Sequence, residues 1–364
     1  MDKYQDSYLT NSQLVFILIG SAIGVEILNL PIDTIKYARQ DGWISCILGA
    51  MYPLYLIVTA QYIHKRFPKE NILMVSKKCF GKLLGNILNF IFILYFLLIT
   101  TEIAAGATNV LIIYMIPFLS KYKIIIILLL TPAFAAYKGI KTIARINEVI
   151  FYVAFIAFFI PIATLKEGSY LNIMPVFGSG IVNIMKSAKD TALAYGGMEI
   201  IFLIYPFFQD NNKLKKCGIT SVIITMVIYT WFTFSSIFYL GINIIPKFLW
   251  PIVTVTEAVT IPVINSFRYV FLSLWTMTIL KILSNHYYAL VFGLSQMTKS
   301  INRKSYAILM YTLISYVATL YQNPTVRRDF LNRITPIYIL YNILYVGIIV
   351  LLIAVRNINK IPEQ

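Results

Sequence analysis

A chain of 364 residues that is 59% hydrophobic and 13% charged, with a mean hydropathy of +0.76, excludes a soluble globular domain of this length. Its apolar runs have helix length, which also excludes the ten-residue alternation of an outer-membrane barrel. The net charge of +16 lies in short loops between those runs and reads as membrane orientation and contact with anionic lipid, not nucleic acid.

Taken in order, the sequence predicts an all-α polytopic membrane protein of ten spans, at 13–38, 42–63, 86–114, 122–137, 146–164, 181–208, 217–241, 264–288, 305–321 and 335–355. The first residues lack a basic n-region and a small-residue cleavage site, so span one is expected to be retained. Its middle reads Gly20-Ser21-Ala22-Ile23-Gly24-Val25-Glu26-Ile27-Leu28-Asn29-Leu30-Pro31. Glycine lets another group approach the backbone closely, and a carboxylate in hydrocarbon needs a cavity or a partner. These residues suit a helix broken at mid-membrane, and equally suit close packing of a continuous helix.

Span two carries Pro53, read as a kink. The basic loop His64-Lys65-Arg66-Phe67-Pro68-Lys69 follows, and 70–84 reads as an interfacial amphipathic helix. Span three holds Glu102 and Asn109 in apolar sequence. The stretch 166–180 reads as an exposed loop, and 243–265, with Pro246, Pro251 and Pro262, as a surface helix or lid. Lys281 on span eight reads as snorkelling towards the inner interface. His64 and His286, near predicted span ends, read as interfacial. Cys46, Cys79 and Cys217 have no paired spacing, so neither a disulfide framework nor a metal site is indicated. With the N-terminus inside, the inner segments hold 18 Lys and Arg and the outer ones 8, which puts both termini in the cytoplasm. The loop 322–333, with Arg327, Arg328 and Arg333, is the dissenter.

Span six repeats the feature of span one. Tyr195-Gly196-Gly197-Met198-Glu199-Ile200 shares Gly-x-Glu-Ile with Gly24 to Ile27, and prolines follow at Pro31 and Pro206. Five spans separate the copies, which therefore run in opposite senses. That predicts a 5+5 inverted repeat (1–164 and 181–355 within one membrane domain), with broken helices 1 and 6 and a site at midplane. The ligand-binding candidates are Ala22, Ile23, Gly24, Val25 and Glu26, with Tyr195, Gly196, Gly197, Met198 and Glu199, and Glu102 beside them. At both breaks the carboxylate stands where the second half-helix begins, placed to receive a ligand ammonium or to act as a packing residue. No catalytic constellation, phosphate-binding loop or zinc motif is present, so neither an enzyme nor a cofactor is expected.

The run Ile23 to Pro31, Gln13-Leu14 and Gly196-Gly197-Met198-Glu199 resemble the B subunit of bacterial spore germinant receptors, a spore germination permease family within the amino acid–polyamine–organocation transporter superfamily. The resemblance covers essentially the whole chain. It implies a LeuT-like fold, residence in the spore inner membrane, an amino acid or similar nutrient as ligand, and partnership with a larger membrane A subunit and a lipoprotein C subunit. Glu26 is a departure, because that family usually carries a small residue there. Two readings stand beside a nutrient sensor: a proton-coupled amino-acid permease and a non-binding membrane scaffold.

Overall fold

The computed structural model describes residues 7–210, 212–258, 266–298 and 301–356, and these are helical with no strand among them. Lys3, Lys299 and Lys360 of the charge count, and Pro262 of the 243–265 connection, lie outside the described residues. The first helix, α1 (Asn11–Ala22), starts at a capping box. Thr10 Oγ1 accepts from Gln13 N at 3.2 Å, and Gln13 Oε1 accepts from Thr10 N at 3.3 Å, so two orphan N–H groups are satisfied. It stops at Ile23. One 3₁₀ turn, Glu26–Leu28, leads to α2 (Leu30–Ala38), which has Pro31 in its first turn, where a missing N–H breaks no helical bond.

Span two is α3 (Gly42–Gly49) and α4 (Met51–Arg66). Pro53 cannot donate to the carbonyl of Gly49, and the helix is interrupted between them. Asn71 then caps α5 (Ile72–Phe80), its Oδ1 accepting from Met74 N at 3.2 Å. The helix expected over 70–84 is shorter because Gly81 turns the chain at φ 81°, leaving Leu83 and Leu84 to α6 (Lys82–Tyr114). Ile72, Leu73 and Val75 are buried, and α5 packs on α6.

Next come α7 (Lys121–Lys138) and α8 (Ile140–Ala154), which continues through a 3₁₀ stretch to α9 (Thr164–Glu167). The loop 168–180 is tied down by Asp41, whose carboxylate accepts from the N–H groups of Phe177 at 2.7 Å and Ser179 at 2.9 Å. Span six is α10 (Ile181–Ala194), a break at 195–197, a 3₁₀ turn Met198–Ile200 and α11 (Ile201–Ile204). Then follow α12 (Leu214–Leu240) and the short α13 (Pro251–Val255). The last spans are α14 (Arg268–Thr298), α15 (Arg303–Leu320) and α16 (Pro324–Val355).

Among the described residues, five helical stretches are long and apolar enough to cross a membrane by themselves: 30–66, 82–114, 140–167, 214–240 and 324–355. The broken and more polar spans fill the places between them. Both breaks are buried at the centre. Around them, α1 packs on α8, α12 and α14, and α10 packs on α2 and α3.

Candidate functional site

Where α1 ends, its last carbonyls are met by side chains rather than by a next helical turn. Tyr229 Oη lies 2.9 Å from the carbonyl of Ala22 and 2.9 Å from that of Ala194, so one phenolic proton serves the ends of both α1 and α10. His286 Nε2 lies 2.9 Å from the carbonyl of Ser21. A carbonyl only accepts, so Nε2 carries the proton. Asn285 Nδ2 donates to Ser21 Oγ at 3.0 Å, and its Oδ1 accepts from Asn147 Nδ2 at 2.6 Å. This amide pair joins spans one, five and eight. A Cβ on Gly20 would stand 2.0 Å from Asn147 Oδ1, so Gly20 serves close packing.

The two motif copies, alike in sequence, are built differently. Gly197 has φ 109°, a region L side chains seldom adopt, and its N–H donates to Glu199 Oε2 at 2.6 Å. Glu199 is fully buried. Its Oε1 accepts from the hydroxyl of Tyr52, from Tyr95 Oη at 2.9 Å and from Asn342 Nδ2 at 3.3 Å. Those four donors stand in for the water a carboxylate loses on burial.

Glu26 is more than a third exposed and faces a cavity. Beside it, Arg327 Nη1 lies 3.3 Å from Glu26 Oε1 and contacts Glu102 Oε2 directly. The arginine and Glu102 are nearly inaccessible to water. One guanidinium therefore joins the broken span one, span three and the start of α16. Arg327 was expected in an outer loop; it lies inside because α16 begins at Pro324 and carries it into the protein.

The cavity measures about 280 Å³. Its walls include Ala22, Gly24, Val25, Glu26 and Leu30 from span one, Tyr95, Leu98, Ile99, Glu102 and Ile103 from α6, and Leu193, Ala194 and Gly196 from span six. Asp33, Lys36, Tyr37, Lys189 and Asp190 line it too, with Ile282 and, from α16, Leu331, Asn332, Thr335 and Pro336. Lys36, Tyr37 and Lys189 are exposed and form its mouth. Among the described residues no acceptor bonds the N–H groups of Gly24 and Val25.

Of the candidate residues, Ala22, Gly24, Val25, Glu26, Glu102 and Gly196 line this cavity. Ile23 faces a second, mainly apolar space of about 80 Å³ shared with Lys281. Tyr195 donates to the carbonyl of Cys46 at 2.8 Å, while Met198, Glu199 and Tyr195 are fully buried away from the main cavity. Gly197 faces Ser21.

Two readings of the sequence change. Lys281 is 2% exposed beside Gly20 and does not snorkel, and His286, expected near a span end, is fully buried in mid-helix; His64 is fully buried too, but in the last turn of α4, near the span end where it was expected. For the two residues of span eight the reason is length: α14 runs to Thr298. That moves both towards its middle. Arg327, Tyr95, Asp33 and Lys36 escaped notice as site residues. The excess of arginine in the outer segment 322–333 was the signal for the first.

A family model described as spore germination protein matches residues 8–327. Among relatives, the chain is 26% identical over 302 residues to spore germination protein YndE of Bacillus subtilis (strain 168), covering 80% of this chain and 82% of that one. It is 23% identical to spore germination protein GerQB of Bacillus cereus, covering 92% of both. Among solved structures, MhsT in complex with L-phenylalanine aligns with a TM-score of 0.69 at 13% identity, over 93% of this chain and 88% of that one. Mhp1, a nucleobase-cation-symport-1 family transporter in a closed conformation with bromovinylhydantoin bound, aligns with a TM-score of 0.68 at 14% identity, over 93% and 79%. At such identity these two show the fold alone: the LeuT-like transporter fold with spans one and six broken. The match over nearly the whole chain carries the rest: this protein belongs to the spore germination protein family of permease-like membrane proteins.

Proposed function

We propose that this chain is the nutrient-sensing subunit of a spore germinant receptor, and that it binds an amino acid in the cavity between its two broken helices. The observation that carries this reading is the lining of that cavity. Gly24, whose backbone N–H has no acceptor among the described residues, and the partly exposed carboxylate of Glu26 line it together with Gly196. An amino acid presents the complementary pair, an anionic carboxylate and a cationic ammonium, on one carbon. N–H groups at the start of a helical segment favour the first, and a carboxylate favours the second. The apolar walls from Leu98, Ile99, Ile103 and Leu193 suit a side chain.

Support from outside the chain is of the same kind: MhsT, which shares the fold, was solved in complex with L-phenylalanine. The assignment to a receptor carries further proposals. These are residence in the spore inner membrane, termini in the cytoplasm, and assembly with an A subunit and a lipoprotein C subunit. On that orientation the mouth at Lys36 and Lys189 opens outwards.

A second reading, a proton-coupled amino-acid permease, draws on the buried Glu102–Arg327 pair at the cavity wall. Calorimetry on purified protein in lipid nanodiscs, paired with uptake of labelled amino acids by proteoliposomes, separates the two. Saturable binding without accumulation is expected. Accumulation driven by a pH gradient would replace sensor by permease, and absence of binding to any amino acid would sink both.

A further inference from the structure

Separate from that cavity, and sharing no lining residue with it, is the mainly apolar space of about 80 Å³. Ile19 and Ile27 line it from either side of the break in span one, Phe155 from span five, Ile228 from α12, and Trp275 and Lys281 from α14. The last two carry hydrogen-bond donors with nothing to receive them. Trp275 Nε1 is buried without a partner among the described residues. Lys281 is buried as well, and among the described residues neither an acceptor nor a carboxylate stands within bonding distance of its Nζ. A buried donor left unmet is costly, and an ionisable group at mid-membrane ordinarily has a partner. Phe155 is exposed, on the least buried of the five membrane-crossing stretches, so the space borders a face that meets lipid.

We propose that this space binds a single-chain carboxylic acid drawn from the bilayer, with its carboxyl group at Lys281 Nζ and its first carbons between the apolar walls. The chemistry follows from walls and donors together. Apolar sides favour a hydrocarbon chain, and buried donors without acceptors favour a head that brings oxygens. A carboxyl group brings two. It also enters hydrocarbon neutral, and beside an amine the pair is neutral overall whichever partner holds the proton, so no lone charge is buried. A phosphate keeps its charge on that path, and the two chains of a phospholipid exceed so small a space. An alcohol offers a single, weaker acceptor. The proposal stands independently of what binds between the broken helices.

Photolabelling of wild-type protein in phosphatidylcholine nanodiscs with a diazirine-bearing decanoic acid tests this. Labelled peptides are expected from span five around Phe155 and from α12 around Ile228. Unlabelled decanoate, decanol, decylamine and decyl phosphate then compete, compared at equal mole fraction in the bilayer. Decanoate is expected to displace the label roughly 10–100-fold more effectively than decanol, the range for a hydrogen bond to a charged group, and more effectively than decylamine or decyl phosphate. Lys281→Met keeps an unbranched stem, removes the amine, and should abolish the preference for decanoate over decanol. Should that variant fail to insert, the wild-type order of competitors decides alone. Equal displacement by all four would leave Lys281 as a packing residue in an apolar crevice and overturn the proposal. A preference for decyl phosphate, as for a lipid headgroup, overturns it too, and so does label spread evenly over the lipid-facing helices.

Discussion

Gly197 and Ser21 meet so closely that a Cβ on the glycine would lie 2.0 Å from the serine carbonyl oxygen. The contact brings the break of span six against the end of α1. Gly197 therefore answers two demands at once, a left-handed backbone and an absent side chain. Gly197→Ala should cost about 1–2 kcal/mol from the backbone region alone, with a further loss from the clash. By contrast, a Cβ on Gly24 meets Ile282 Cδ1 at 2.8 Å, the far end of a flexible side chain. Gly24→Ala should cost about 0.5–1.5 kcal/mol as that side chain shifts, and Gly24→Leu should fill the cavity and abolish binding while the protein still inserts. Thermal unfolding of the purified variants checks the order; a Gly24→Ala loss exceeding that of Gly197→Ala would refute it.

Glu199→Gln separates the two motif copies. Its carboxylate receives Tyr52, Tyr95, Asn342 and the Gly197 N–H, and a glutamine would turn an NH₂ group towards some of those donors. A stability loss of about 1.5–3 kcal/mol is expected, with ligand affinity altered only through stability. Glu26→Gln should do the reverse. The readout is a pair of measurements on each variant, melting temperature and binding constant, and equal behaviour of the two would be against it.

Arg327→Gln leaves Glu102 buried without its cation, and should destabilise by about 3–5 kcal/mol. Adding Glu102→Gln should recover much of the loss, because an amide pair needs no counter-charge. Chemical denaturation of wild type, both singles and the double forms the cycle. A double variant no more stable than Arg327→Gln would show that the arginine acts through packing alone.

Orientation is open to labelling. Cys79 and Cys217 are buried, so their silence towards a reagent says nothing of sidedness. Introduced cysteines do better: Tyr170→Cys, at an exposed loop position, should react with an impermeant thiol reagent from outside, and the exposed Lys216→Cys should not. The opposite pattern would invert the protein in the membrane.

What the sequence made legible was local. Two copies of Gly-x-Glu-Ile at the centres of apolar runs located both breaks, because a helix interruption is encoded by the few residues that make it. What each carboxylate does was not encoded there. Glu26 and Glu199 differ in what other elements bring to them: Arg327 from α16 for one, Tyr52 and Tyr95 from spans two and three for the other. Those partners are 301 and, for the tyrosines, 147 and 104 residues away in the chain. Counting Arg327 among loop charges assumed that a charge at a span end meets water, and here α16 starts early enough to draw it inward. Lys281 and His286 were misplaced by a related error, the helix boundary, which no apolar periodicity fixes to better than a few residues.

The hydroxyl of Tyr229 can give its hydrogen fully to one carbonyl at a time, yet it stands equidistant from Ala22 and Ala194. Any motion that separates α1 from α10 must leave one of those oxygens bare in a low-dielectric interior while the other gains a stronger bond. In such a motion, rotation of a single O–H bond would decide which half-helix keeps the contact. Tyr229→Phe would erase that preference and let the halves separate without exchange, visible as faster amide hydrogen exchange at Ile23 and Tyr195; unchanged exchange there would show that the two carbonyls never compete.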